Sequence, residues 1–353
     1  MYGATANFFV ITSTTPRSIN LPGWRQRSIA YKLLHKHPLH QSSTLSASRP
    51  SPSVLIKIVC ISDTHNTQPD VPPGDVLIHA GDLTENGSFD EIQSQLSWLS
   101  SQPHQHKVVV AGNHDVLLDE GFLEKYPERR YGDSRTRRDL NWGTIHYIQN
   151  SSVTLNFERG YEKNPDHRPH RAADEGDESL QNRSTPPAIR SLSVYGSPWT
   201  PQYGVSAFQH ARDEDVWTDI IPMNTDIVVV HGPPRHHLDT RDFHRAGCPL
   251  LRAEIARVKP SLVVFGHIHV ANGREKEVVL DRTRRIYEGV MNNWGGWPSL
   301  VWMACCVLFA RLKLVFIGQE KMANSARTAI FVNASSVEGP ENLLLNDPIV
   351  VEL

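Results

Sequence analysis

Cysteine is scarce. The four residues Cys60, Cys248, Cys305 and Cys306 contain no C-x-x-C pair, which excludes a zinc knuckle and a dithiol redox centre. Net charge is nearly absent, at −2, so the chain as a whole has no attraction for nucleic acid or an acidic membrane surface. Acidic residues are missing from the first 62 positions, and the first is Asp63. No charge-free apolar run reaches the roughly 20 residues of a membrane span. The oiliest stretch, 297–318, is divided by Arg311 and Lys313. It is expected to be a helix packed on the domain in preference to a membrane-attached one, with Cys305 and Cys306 as small core residues.

What the chain does have is a globular composition, 39% hydrophobic and 21% charged, in 353 residues. That length allows one large domain or two ordinary ones. Residues 1–54 carry only basic charge among many Ser, Thr and Pro, which reads as a disordered tail. The same composition also fits a mitochondrial transit segment. With no signal peptide visible, a reduced, cytoplasmic chain is the default expectation. Residues 159–190 are polar and aperiodic, an expected exposed insertion in which His167 and His170 are solvated.

From residue 55 onward, short apolar runs alternate with helical periodicity, as in an α/β layered fold. Strands are expected at 56–62, 75–80, 107–111, 193–197, 226–230, 261–265 and 328–335. Helices are expected at 88–101, behind a Ser cap, and at 248–258. Chemistry-bearing residues follow these strands. "CISDTH" supplies Asp63 and His65, "IHAGDLT" supplies Asp82, and "VVAGNHD" supplies Asn113 and His114. Farther on, "VVVHGPP" supplies His231 and "VVFGHIH" supplies His267 and His269.

In a parallel sheet the carboxyl ends of the strands share one edge, where ligands bind. The i, i+2 pairs Asp63/His65 and His267/His269 would point the same way from an extended backbone. Glycines 81, 112, 232 and 266 would let the chain turn beside them. Oxygen and nitrogen donors without sulfur suit divalent Mn, Fe, Zn, Ni or Mg. Seven candidate ligands exceed what one ion can use, so two ions sharing a bridging carboxylate fit better.

The ordered series D-x-H, G-D, G-N-H-D, H-G and G-H-x-H resembles the calcineurin-like metallophosphoesterase superfamily. "YGSPWTP", "HGPP", "HLD" and "VFGHIH" are similar to its small metallophosphoesterase-domain members of mammals and fungi. The resemblance covers roughly 56–353. It implies a four-layer αββα sandwich with two mixed β-sheets. It further implies that Asp63, His65, Asp82 and His269 hold one metal, and that Asp82, Asn113, His231 and His267 hold the other, with Asp82 bridging.

Two such cations would lower the pKa of a bridging water toward about 7 and clamp the phosphoryl oxygens. His114, left off the metals, would serve the leaving group, and Asp115 is expected to orient its ring. The substrate expected is a small phosphate ester, above all a phosphodiester such as a cyclic nucleotide. A scaffold or regulatory binding protein with little activity on the same fold is the alternative, opposed by the presence of all seven candidate ligands and His114. A nuclease would need a basic stripe that the core lacks. Trp199, Thr200, Pro201 and Tyr203 could line a cleft or simply pack a loop, and His236 and His237 could face substrate or solvent.

Overall fold

A computed structural model describes residues 23–40, 55–158, 189–241, 244–318, 321–322 and 326–353. Eleven strands build two main sheets: β1 (Lys57–Ile61), β2 (Val76–Ala80), β3 (His106–Val110), β4 (Ile145–Tyr147), β5 (Ser151–Glu158), β6 (Ile189–Ser197), β7 (Ile227–Val230), β8 (Leu262–Phe265), β9 (Gly273–Val279), β10 (Thr328–Asn333) and β11 (Ile349–Glu352). One sheet has the order β11-β1-β2-β3-β4 and the other β9-β10-β8-β7-β6-β5. Within the first, β1 to β4 run parallel while β11 is antiparallel. Within the second, β6, β7, β8 and β10 run parallel, with antiparallel β5 and β9 at the edges.

The central strands read as unbroken apolar runs because both their faces are covered. Along β1, Ile58 and Cys60 join the core between the sheets, whereas Val59 and Ile61 turn to the helix outside. That helix, α2 (Phe89–Ser101), starts at a full capping box between Ser88 and Glu91 and buries Ile92, Leu96 and Leu99 at helical spacing. A short α3 (Glu120–Lys125) is capped by Asp119. Outside the second sheet, α4 (Pro249–Val258) sets Leu251, Ile255 and Val258 against Val228, Val263 and Phe331. The layers are therefore helix, sheet, sheet, helix. A parallel bridge from Ser62 to Ser335 ties the carboxyl ends of the two sheets together, and this brings their loops to one place.

Two helices depart from the expectations. Within the segment read as a disordered tail, Trp24–His35 form α1, whose Ala30 and Leu34 pack on α5 (Arg282–Met291) and α6 (Trp297–Ile317). Its basic last turn complements the helix dipole, but the burial is what a composition reading cannot anticipate. The oily segment is a helix, α6, yet among the described residues only one of its faces is covered, by α1 and α5. Cys305 is exposed and Cys306 half-buried, so neither is a core residue as expected. The polar segment 159–190, with His167 and His170, lies outside the described residues except for its last two, which begin β6.

Candidate metal centre

Each expected ligand lies in the first residues after a strand, and the backbone there is unusual. Asp63, His65, Asp82 and His267 take φ values of 50°, 42°, 52° and 69°, the left-handed region that non-glycine residues seldom occupy. The i, i+2 pairs thus reach the site through left-handed turns, not through the extended backbone expected from their spacing. Such strain persists only where the surroundings hold it in place.

Hydrogen bonds do so here. The Asp63 carboxylate accepts from the His267 amide with both oxygens at 2.9 Å and from Ser335 Oγ at 2.9 Å. Asp82 Oδ1 accepts from the His114 amide at 2.7 Å. His231 Nδ1 lies 2.9 Å from the Ala80 carbonyl, and this fixes which nitrogen faces inward.

At Gly266 and Gly112 the requirement is room more than a turn. A Cβ on Gly266 would overlap the Asp63 carboxylate and Ser62 Oγ, and one on Gly112 would overlap the backbone and carboxylate of Asp82. The glycines let the carboxylates sit directly against the neighbouring strand.

Three overlapping sets of donors meet here: one is His65, Asp82 and His114, and the other two hold only residues expected to be ligands. In one of these two, the donors of Asp63, His65 and His269 lie within 4.8 Å of one another, and Asp63 Oδ1 is 3.3 Å from His269 Nε2. In the other, Asp82, His231 and His267 converge, with His231 Nε2 at 3.2 Å from Asp82 Oδ2 and 3.1 Å from Asn113 Oδ1. Asp82 Oδ2 also lies 3.8 Å from His65 Nε2, so this carboxylate touches both groups. The seven residues named from the sequence meet in this one place.

Electrostatics match a cation site. Burial alone would raise the Asp82 carboxyl, but the charges of His231, His114 and His65 and the His231 hydrogen bond hold it well below the usual carboxylate range. Burial likewise opposes ionisation of Asp63, and the hydrogen bond and charge of His269 reverse that. Burial would lower His231, yet the Asp82 carboxylate, followed by Asp63 and the Ala80 carbonyl, raises it to about 9. His267 is lowered to about 3 by burial and by the neighbouring His231 charge, and His65 is also lowered, chiefly by burial. A proton on His231 balances carboxylates that a cation would otherwise neutralise.

One observation tests the fit to a metal more directly. His65 is buried, and neither ring nitrogen has a hydrogen-bond partner among the described residues. Its Nδ1 lies 3.0 Å from a Glu85 carboxylate oxygen without hydrogen-bond alignment. An imidazole left unpaired inside a protein is costly, and a ligated cation removes that cost at Nε2. The donor set and the orphaned nitrogen both fit divalent metal.

His114 stands beside these groups, its ring centroid 4.7 Å from that of His65. Its Nδ1 is 2.7 Å from the Glu85 carbonyl, leaving Nε2 for the cleft. Asp115 does not orient this ring, contrary to the sequence expectation. It is fully buried and accepts from the amides of Leu83, Thr84 and Gly112 and from Thr84 Oγ1, stapling two ligand loops together. Glu85 and Ser335 were missed in the sequence. Glu85 lies three residues beyond Asp82 in an ordinary turn sequence, and Ser335 has no local motif, so neither carried a readable signal.

The cleft over the centre, about 540 Å³, is bordered by His114, Tyr203, Val270 and Asn342. Tyr203 is 49% exposed and its ring lies 5.0 Å from that of His267, whereas Thr200 is buried and Trp199 packs in the core. His237 faces neither substrate nor solvent. It stacks on Phe331 at 3.9 Å and bonds Glu275 and Arg252. His236 bonds Asn292.

The calcineurin-like phosphoesterase family model matches residues 56–271, a span holding all seven candidate ligands and His114. A protein of Emericella nidulans named "Probable rhamnogalacturonate lyase C" is 35% identical over 301 residues, 85% of this chain and 24% of that one. Human metallophosphoesterase domain-containing protein 1 is 33% identical over 242 residues, 64% of each chain. A UPF0046 protein of Caenorhabditis elegans is 32% identical over 232 residues, 62% of this chain and 70% of that one. The chain thus spans about a quarter of the first relative's length and just under two thirds of the second's.

Proposed function

This chain belongs to the calcineurin-like phosphoesterase family, and from that membership and the geometry of its cleft we propose that it is a metal-dependent phosphodiesterase for small diesters, cyclic nucleotides among them. The observation that carries the reading is the meeting of two His/Asp groups at one carboxylate, Asp82. Asp63, His65, Asp82 and His269 would hold one divalent cation, and Asp82, Asn113, His231 and His267 the other. When bound, such a pair supplies Lewis acidity toward the phosphoryl oxygens and activates water at neutral pH.

The remaining work falls to the chain itself. Burial lowers the His114 pKa, but the Asp82 carboxylate and the Glu85 carbonyl more than offset this and raise it. Before any cation binds, the ring therefore retains a proton to higher pH than a free histidine. With Nδ1 committed to the Glu85 carbonyl, Nε2 is the atom that would donate to the departing ester oxygen. Tyr203, at the rim, offers an aromatic face to the group the phosphate carries. A cleft of this volume suits a ligand of nucleotide size.

Hydrolysis of bis-p-nitrophenyl phosphate and of cyclic nucleotides with Mn²⁺, by wild type and Asp82→Ala, tests the reading. Wild-type turnover that Asp82→Ala abolishes supports it, and equal residual rates defeat it. His114→Ala should lose turnover while both metal equivalents stay bound, since His114 is not needed as a ligand. Loss of metal in that variant would make the residue structural.

A further inference from the structure

Helix α6 has two apolar sides, and among the described residues only one is covered. Leu300, Met303, Val307 and Ala310 are buried in the packing with α1 and α5. At about 100° per residue the opposite side carries Trp302, Leu308, Phe309, Leu312, Val315 and Phe316, which are between 53% and 84% exposed. Arg311 and Lys313 fall on the two borders of this stripe, one on each side. Trp294 and Trp297, at the amino end, are 61% and 56% exposed. Long cationic side chains flanking an apolar band, with tryptophans at its end, is the arrangement of residues at a lipid–water boundary.

Length alone would let this 21-residue helix cross a bilayer, but its connections forbid it. Val279, just before α5, and Thr328, just after α6, are register partners in the adjacent antiparallel strands β9 and β10. Both ends of the insertion therefore leave from one point on a sheet edge. A single span would put the helix ends on opposite sides of the membrane. Residues 318–327 would then have to return through hydrocarbon as a lone segment with unpaired backbone groups. The helix can meet lipid only by lying flat.

Charge indicates the kind of lipid. Across 23–40 and 281–318 nine Lys and Arg stand against two carboxylates, Asp281 and Glu288. Glu288 is buried and bonded by Arg252 and Arg284, while Asp281 caps α5 and bonds His40. The outward charge of the three helices is thus cationic, although the whole chain carries −2. We propose that α1, α5 and α6 dock the protein on an anionic phospholipid surface, with the α6 stripe inserted at the headgroup boundary and the surrounding cations against the lipid charges. This is contrary to the expectation drawn from the interrupting cations of the sequence, because Arg311 and Lys313 border the apolar face instead of breaking it.

Flotation of the full chain with phosphatidylcholine vesicles, with and without about 30% phosphatidylserine, tests this. Wild type should float with the anionic vesicles, and raised salt or omission of phosphatidylserine should cut capture about tenfold. Phe309→Ser/Phe316→Ser should abolish flotation while keeping the wild-type melting temperature and metal content, which shows that the fold survives. Lys313→Glu, an exposed single change, should weaken capture without touching the apolar face. Failure of wild type to float, or equal capture of wild type and both variants, overturns the proposal. So does light scattering that shows a dimer dissociated by the Phe substitutions with no vesicle binding, because a second copy would then cover the stripe.

Discussion

At the scale of single residues, the centre depends on groups that never face the cleft. Ser335 Oγ donates to Asp63 Oδ2, and the same hydroxyl lies 2.8 Å from Asn333 Oδ1. Removing it frees Asp63 to turn away from His269. Ser335→Ala is expected to lower metal affinity by about 10 to 100-fold, as is typical for partners that orient a ligand, with little change in melting temperature of the metal-free protein. Titration with Mn²⁺ followed by calorimetry checks this, and unchanged affinity would assign Ser335 to packing alone. The convergence of the seven candidate ligands was legible because each follows an apolar strand in a short pattern. Ser335 and Glu85 were not legible, because their importance comes from tertiary neighbours far away in sequence or from a backbone carbonyl that any residue could supply. Asp115 shows the converse. Its position beside His114 suggested a partnership, yet its carboxylate is turned to the amides of Gly112, Leu83 and Thr84.

At the scale of elements, local sequence rules held wherever burial and periodicity agreed. The Ser88 cap predicted from the sequence is a complete capping box, with Ser88 Oγ and amide both bonded to Glu91. Ser88→Ala should cost about 1 kcal/mol of stability, measured by urea unfolding. A loss below a few tenths would mean that the apolar face of α2 alone fixes its start. For α1 and α6 the rules were insufficient. The α1 sequence lacks a side-chain cap and sits in a basic, Ser- and Pro-rich stretch, so only its contacts with α5 and α6 reveal why it is ordered. In α6 the apolar residues encircle the helix, and periodicity could not say which side the protein would cover.

At the scale of the whole molecule, the three-helix appendage is joined to the sandwich through groups that titrate. His37 is lowered to about 4, mainly by burial, against the opposing pull of Asp281. A histidine depressed in the fold leaves stability intact above its unfolded pKa of about 6.5, and that stability falls as pH drops toward 4, because the unfolded chain takes the proton first. His37→Asn retains an acceptor for the Leu39 amide that His37 Nδ1 now accepts but cannot titrate. It should therefore reduce the stability difference between pH 7 and pH 5 by about 1 kcal/mol, read from denaturant midpoints at the two pH values. An unchanged difference would place the ring in water. The alternation of runs and periods pointed to an α/β layered fold, and the two sheets were expected only as what the family resemblance implies. The placement of the appendage followed from neither, since the strands it separates, β9 and β10, pair across it.

The central claim is that loops from both sheets assemble one dinuclear centre around Asp82. Metal content of the purified chain after equilibration with Mn²⁺ and removal of free ion, determined by mass spectrometry for wild type and Asp82→Ala, tests it most directly. Two ions per wild-type chain and a loss of both in the variant is the predicted result. A single ion in wild type, or two that survive the substitution, would contradict it.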